Sequence, residues 1–451
     1  MKSQKLIVLT LVIAFFLLSL TPFIPLLSYD YHNHQRILQI ALLLGLSFIF
    51  TINLYIKENV IYLEKENINI TAFFLIFIFI GVISSIFSDE IIFSLFYTSH
   101  IFLLVIALSL ISSLNDKSSA LILIYALVIA HTGLVLVCLL NIIFTLFEQQ
   151  PLNPYIIYSG FINIRFFNQV QVFVLPFLIL LLKFKDIQRI VFFVLFLNLL
   201  LILIGQARGA LLSFLVISLL ALILKSTLKK QIFTGLICLT LSLIAFYSLN
   251  SLNPGGADIT RTSTSGRIDL WLTTLNNFTF KHIFIGNGPG IFEMSLGSSA
   301  PFSHPHNSIV ETLNEWGGIA LICLSTAVYL TIKKAAYHIK RYQKDIITES
   351  LFYSFLIGIT YSFCSGVHVM PVSQTLLFII WGLLLARVRK MDRVRVTVSV
   401  SVNNYWKIII TIILIIGWCF YLNKAIHIYN SIDPDKGYIY GPRFWSVGQR
   451  I

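Results

Sequence analysis

Charge is scarce in this chain: Asp, Glu, Lys and Arg make up 11% of its 451 residues, where soluble globular proteins carry about 25%. That excludes an ordinary water-soluble domain. Short segments alternating apolar and polar, the mark of a membrane barrel, are missing as well. No repeat of fixed period runs along the sequence, which excludes a solenoid. Cysteine is sparse and unpatterned. Cys138, Cys238, Cys323, Cys364 and Cys419 lie in or beside apolar runs and form neither CxxC nor zinc spacing, so neither a disulfide framework nor a metal site is indicated.

What the sequence does have is long apolar runs, and 57% of it is hydrophobic. Lipid offers the backbone no hydrogen bonds, so such runs cross a membrane as helices. Spans are expected near 6–26, 37–56, 70–87, 91–112, 120–146, 169–184, 189–205, 209–225, 232–250, 309–332, 351–368, 373–388 and 407–425. The fold class is all-α, a polytopic transmembrane helical bundle of about 12–13 spans. The first run follows Lys2 and Lys5 but exceeds a signal-peptide core in length, so it reads as a retained helix. The chain divides into N-terminal membrane helices over 1–250, a large external loop with short helices over 251–308, C-terminal membrane helices over 309–425 and an external tail over 426–451.

The net charge of +13 follows topology rather than nucleic acid. Loops 57–69, 113–119, 183–189, 225–231, 333–350 and 387–407, with the N-terminus, hold 22 of the 32 Lys and Arg residues. By the positive-inside rule those loops are cytoplasmic. Ten cations then fall on the other side: Arg36, Arg165, Arg208, Arg261, Arg267, Lys281, Lys424, Lys436, Arg443 and Arg450. Cations that defy the rule need another reason to be there, and long external loops are the place for chemistry.

The large loop opens with Asn253-Pro254-Gly255-Gly256 and a Thr/Ser stretch. From Gly266 it reads GRIDLWLTTLNNF, with Ile268, Trp271, Leu272 and Leu275 at helical spacing. A short amphipathic helix on the membrane is expected, with Arg267 at an N-terminus that favours anions. GNGPGIF follows at 286–292, where Gly286, Gly288 and Gly290 permit positive φ and close approach to a substrate. It lacks the Lys-Ser/Thr of a nucleotide-binding loop. The loop ends in SHPHNSIVETLNEWGG, placing His304 and His306 where the chain re-enters the membrane. Two histidines can begin a metal site, but no third ligand stands at the right spacing. The alternative is a neutral imidazole acting as general base. Glu311, expensive within a membrane helix, can orient that imidazole, or Glu311 and Glu315 line a wet cavity or cap the helix. Arg208 in GQARGALLSF and Arg165 in NIRFFNQ enter the membrane from the same side. Guanidinium forks suit phosphate; the bland alternative is snorkelling towards headgroups. His100 and His131, inside apolar runs, read as core groups.

These residues together resemble the superfamily of O-antigen ligases, O-antigen polymerases and bacterial O-oligosaccharyltransferases. Arg208 to Leu212 in RGALL resembles an RxxxL pattern of the ligases. The segment from Arg267 and Trp271 to GNGPGIF resembles the superfamily's external loop. His306-Asn307 followed by Gly317 resembles a His-Asn/Ser, nine residues, GxxG pattern, with Ala320 departing from it. The resemblance implies transfer of a glycan preassembled on undecaprenyl pyrophosphate to an acceptor hydroxyl, at the periplasmic face of a bacterial inner membrane, without metal or other cofactor. It implies that Arg208 and Arg267 hold the pyrophosphate and that His306 is the base; from their own positions Arg165 is expected to join those arginines and Glu311 to stand beside the histidine. Asn307, Gly286, Gly288, Gly290, Trp271 and His368 are expected to bind substrate. RFFNQ at 165–169, HVMPVSQ at 368–374 and the tail GPRFWSVGQ at 441–449 resemble pilin-type transferases, so a protein hydroxyl is the favoured acceptor. Lipid A-core and a growing polymer are the alternatives. A glycolipid transporter is the competing class, but it calls for repeat symmetry and broken midplane helices.

Overall fold

The computed structural model describes residues 2–21, 26–28, 30–56, 60–114, 116–252, 266–292, 302–389, 397–401, 404–431 and 442–446. The expected turn at 253–256 and Arg261 lie outside these residues. Each of the thirteen expected spans falls on a helix. They are α1 (Lys2–Ser19), α2 (Tyr31–Ile56), α3 (Lys65–Ile86), α4 (Ile91–Ile111), α5 (Lys117–Phe147), α7 (Ile164–Leu181), α8 (Gln188–Ile204), α9 (Arg208–Ile223), α10 (Lys229–Leu252), α13 (Ser308–Arg341), α14 (Ile346–Ser362), α15 (Pro371–Arg389) and α16 (Asn404–Asn430). Short helices α6 (Pro154–Ile157), α11 (Arg267–Asn276) and α12 (Phe280–Ile285) sit in the connections. Among the described residues, nine helices are long and apolar enough to cross a bilayer, with four shorter apolar ones beside them. The protein is a polytopic helical membrane protein.

One short exception to the all-helical pattern is an antiparallel ladder of β1 (Val60–Glu64) and β2 (Thr397–Ser401), with Val60 opposite Ser401. It joins two of the basic loops. Other basic loops also meet one another: Lys5 pairs with Asp116 at 2.8 Å, the Thr227 amide donates to Glu349 at 3.1 Å, and Arg387 pairs with Asp345 at 2.7 Å. At the opposite end, residues 160–165, 205–208, 266–292, 302–308, 363–370 and 442–446 contact one another, as described below. The loops therefore sort into the two sets that the charge pattern predicts.

Burial separates central helices from peripheral ones. Fully 89% of Ile164–Leu181 and 94% of Pro371–Val388 are buried, against 17% of an 18-residue apolar stretch within Asn404–Asn430, so α7 and α15 form the centre and α16 faces outward. Helix α14 packs on α7, and α13 on α3. Several polar side chains of the inner helices pair with one another, as lipid burial favours. Gln169 bridges Ser365 (2.9 Å) and Ser373 (2.7 Å), while His131 and Gln171 both meet the Asn198 side chain at 3.0 and 2.8 Å. His100, bonded to Tyr421 and Gln374 at 2.8 and 2.9 Å, is likewise a core group.

Candidate functional site

The site is built where the long loop turns back into the bundle. Asn307 caps α13: its side-chain oxygen accepts from the Ile309 and Val310 amides at 2.9 and 3.2 Å. This satisfies donors that a helix start leaves open, and it occupies the oxygen expected at substrate. Just before it, Pro305 bars helix and His306 takes φ +56°. The His306 amide donates to His304 Nδ1 at 3.2 Å, and the two rings lie edge to face with centroids 4.1 Å apart. Trp271, on α11, donates its indole N–H to the Pro305 carbonyl at 2.8 Å. It therefore holds the histidine turn and does not line the cavity.

That cavity, about 150 Å³, is lined by Asn163, Arg165, Gln169, Arg267, His304 and His306 among others, and no carboxylate lines it among the described residues. Arg165 opens α7 and donates to the Gln206 carbonyl at 3.0 Å, in a turn where Gln206 itself has positive φ. Arg267, first residue of α11, donates to the Cys364 carbonyl at 2.7 Å. Arg208 stands exposed at the start of α9. Burial, then the charge of Arg165, with Arg208 adding to it, lowers the pKa of Arg267. Three guanidiniums thus press on one wet corner, an arrangement that an anion relieves.

Those charges also act on the imidazoles. Burial first, and then Arg267, pushes His306 from 6.5 down to about 3. His304 is driven well below its ordinary range by burial and by His306 and Arg443. Both rings are therefore neutral at physiological pH. Among the described residues, neither ring nitrogen of His306 makes a hydrogen bond, so the base-competent atoms remain available to a ligand.

The carboxylates lie one layer deeper. Glu311 was expected to orient His306. Its Oε2 instead meets His368 Nε2 at 2.9 Å, and its Oε1 meets Arg443 at 3.1 Å. The physical reason is position. Glu311 lies in the first turn of α13 facing the bundle interior, whereas His306 precedes the cap and faces the cavity. Glu315 pairs with Arg443 and accepts the amides of Gly290 and Phe292, both at 2.9 Å. The GNGPGIF turn thus closes on a carboxylate of its own chain, and none of its three glycines lines the cavity.

The glycines are needed by the packing. Helix α13 breaks at Gly317 (φ 83°, ψ 172°), and the turn docks into that break. A Cβ on Gly317 would stand 2.2 Å from the Phe284 carbonyl oxygen, and one on Gly286 2.3 Å from that of Glu315. Neither glycine tolerates a side chain there. His368 sits in the 363–370 connection, whose Gly366 packs so closely on His304 that a Cβ would lie 2.4 Å from its ring. The residue that sequence reasoning left without a role is Arg443. Its signals were membership of the ten cations on the unexpected side and its place in GPRFWSVGQ.

No curated protein gives a significant match to this chain. The O-antigen ligase family model matches residues 193–325, a stretch that carries Arg208, Arg267, His304, His306, Glu311 and the Gly317 break. That match supports placing the chain in the O-antigen ligase superfamily, with glycan transfer of that general type as its chemistry.

Proposed function

We propose that this protein transfers a preassembled glycan from a polyprenyl pyrophosphate to an acceptor hydroxyl, at the periplasmic face of a bacterial inner membrane. The observation that carries the reading is the cavity where Arg165 and Arg267 meet a neutral His306 whose ring makes no hydrogen bond among the described residues. In this scheme the acceptor oxygen attacks the anomeric carbon while His306 takes its proton. The bond from that carbon to the pyrophosphate oxygen breaks, and the leaving group carries its electron pair away as polyprenyl pyrophosphate. Arg165, Arg208 and Arg267 stabilise the charge that develops on it. Attack opposite the leaving group inverts the anomeric configuration. No metal is required in this scheme, since the arginines supply the positive charge.

The favoured acceptor is a serine or threonine hydroxyl of a protein such as pilin. What supports this over a lipid A-core acceptor is the C-terminal segment 442–446, which packs at the site end of the bundle, as a thirteenth span requires. Cells lacking the gene, complemented with wild type or His306→Ala, provide the test. Loss of a discrete glycan mass from pilin, restored only by wild type, is the expected result. Loss of capped lipopolysaccharide with unchanged pilin makes the protein a ligase, and single-repeat caps make it a polymerase.

A further inference from the structure

The two glutamates beneath the site are neutralised from the far end of the chain. Residues 442–446 insert into the bundle so completely that Arg443, Phe444, Trp445 and Ser446 are each at most 2% exposed. The start of α2 forms the seat. Arg36 donates to the Arg443, Phe444 and Val369 carbonyls, each at 2.8 Å, and lies over the Phe444 ring. Asn33 pairs twice with Ser446, at 2.9 Å both times. Segments this distant in sequence meet only because each fills hydrogen-bonding needs that the other would otherwise leave buried.

From that seat Arg443 reaches four groups at once. It donates to Glu311 (3.1 Å), to Glu315, to the Ser303 carbonyl (2.6 Å) and to the Tyr97 hydroxyl (3.2 Å). Ser303 returns a bond to the Pro442 carbonyl at 2.9 Å. Two chains of contact lead on to the cavity. One runs from Ser303 to its neighbours His304 and His306. The other runs through Glu311 and His368 to the 363–370 connection, which holds Arg267 at Cys364 and rests on His304 at Gly366.

We propose that Arg443 is a positioning residue of the transfer site: it pins Glu311 and Glu315 and fixes the histidine turn through Ser303, without itself touching substrate. The inference rests on the transferase reading above. Losing this guanidinium leaves two neighbouring carboxylates buried with one cation fewer, and such carboxylates do not both stay ionised. One of the two takes a proton, and the bonds that tie both carboxylates to the Ser303 carbonyl through one guanidinium are gone, so Glu311 and the histidine turn lose their common anchor. A lysine keeps the charge but cannot span four acceptors.

Two measurements test it. The first is disulfide crosslinking of Ser303→Cys with Pro442→Cys in native membranes, with the five natural cysteines replaced by serine. The second is transfer kinetics of Arg443→Gln, Arg443→Lys and the double variant Arg443→Gln/Glu315→Gln, each compared at equal folded protein. The crosslink is expected to form. Arg443→Gln is expected to lower kcat about 30-fold while KM for the donor moves less than about 3-fold, and the double variant to recover about 10-fold of that loss. Arg443→Lys is expected to fall between. Unchanged kcat in well-folded Arg443→Gln, a loss confined to KM, or failure to crosslink overturns the inference. If the unmodified chain transfers nothing, the transferase reading falls and takes the role of Arg443 with it, while the crosslink still reports the seat.

Discussion

The depressed pKa of His306 makes a quantitative prediction about how transfer depends on pH. With its value pushed to about 3, only about one imidazole in a thousand carries a proton at pH 6, against about three in four for an unperturbed histidine. The cause is burial first and the Arg267 charge second. An anionic donor cancels part of that charge, so the His306 pKa rises when donor binds and the ring becomes a better base when it is needed. Hence kcat/KM for the donor, which reports the free enzyme, should stay flat from about pH 7.5 down to about pH 4.5. The acid limb of kcat, which reports the bound complex, should lie higher. In Arg267→Met the limb of kcat/KM moves upward but stays below 6.5, because burial is the larger cause. Initial rates of glycan transfer by purified protein across this range are the assay. A limb of kcat/KM near 6.5 that disappears in His306→Ala would refute the reasoning.

Other perturbations separate site from scaffold. Gly317→Ala places a side chain in a backbone region open almost only to glycine and a Cβ 2.2 Å from the Phe284 oxygen; it should destabilise the protein by about 3 kcal/mol or more, seen as a lower melting midpoint in detergent. Trp271→Phe removes one hydrogen bond to Pro305, worth about 1 kcal/mol, and should reduce kcat several-fold with little change in melting. Arg387→Ala strips Asp345 of its guanidinium at the far end of the bundle but leaves it His338 and Thr348, so the loss should cost about 1–3 kcal/mol; melting should drop while transfer per folded molecule is unchanged. A drop in transfer with intact stability would place Arg387 in the chemistry after all.

Much of the fold was legible in the sequence because lipid imposes simple rules. Apolar length marked each helix, and the basic loops marked one end of the bundle. The arginines in and near the cavity were legible for the same reason: Arg165 and Arg267, which line it, and Arg208, exposed at the start of α9, violate the charge rule. The roles of the glycines and glutamates were not. The sequence lists GNGPGIF and Glu315 without saying that the turn's amides close on that carboxylate, because the contact spans 25 and 23 residues and depends on the helix break at Gly317. Glu311 was placed beside His306 by proximity along the chain, whereas its partners come from 57 and 132 residues away. Arg36 read as one of ten cations on the unexpected side, yet with Asn33 it forms the buried seat of the C-terminal segment.

The most direct test of the central claim is a reconstituted reaction. Purified protein in liposomes receives a synthetic glycan on polyprenyl pyrophosphate and a pilin substrate, and both glycosylated pilin and released polyprenyl pyrophosphate are followed by mass spectrometry. The account predicts stoichiometric formation of the two products with inverted anomeric configuration, and their joint loss in His306→Ala and in Arg267→Ala. Products formed at the wild-type rate by well-folded His306→Ala would contradict it.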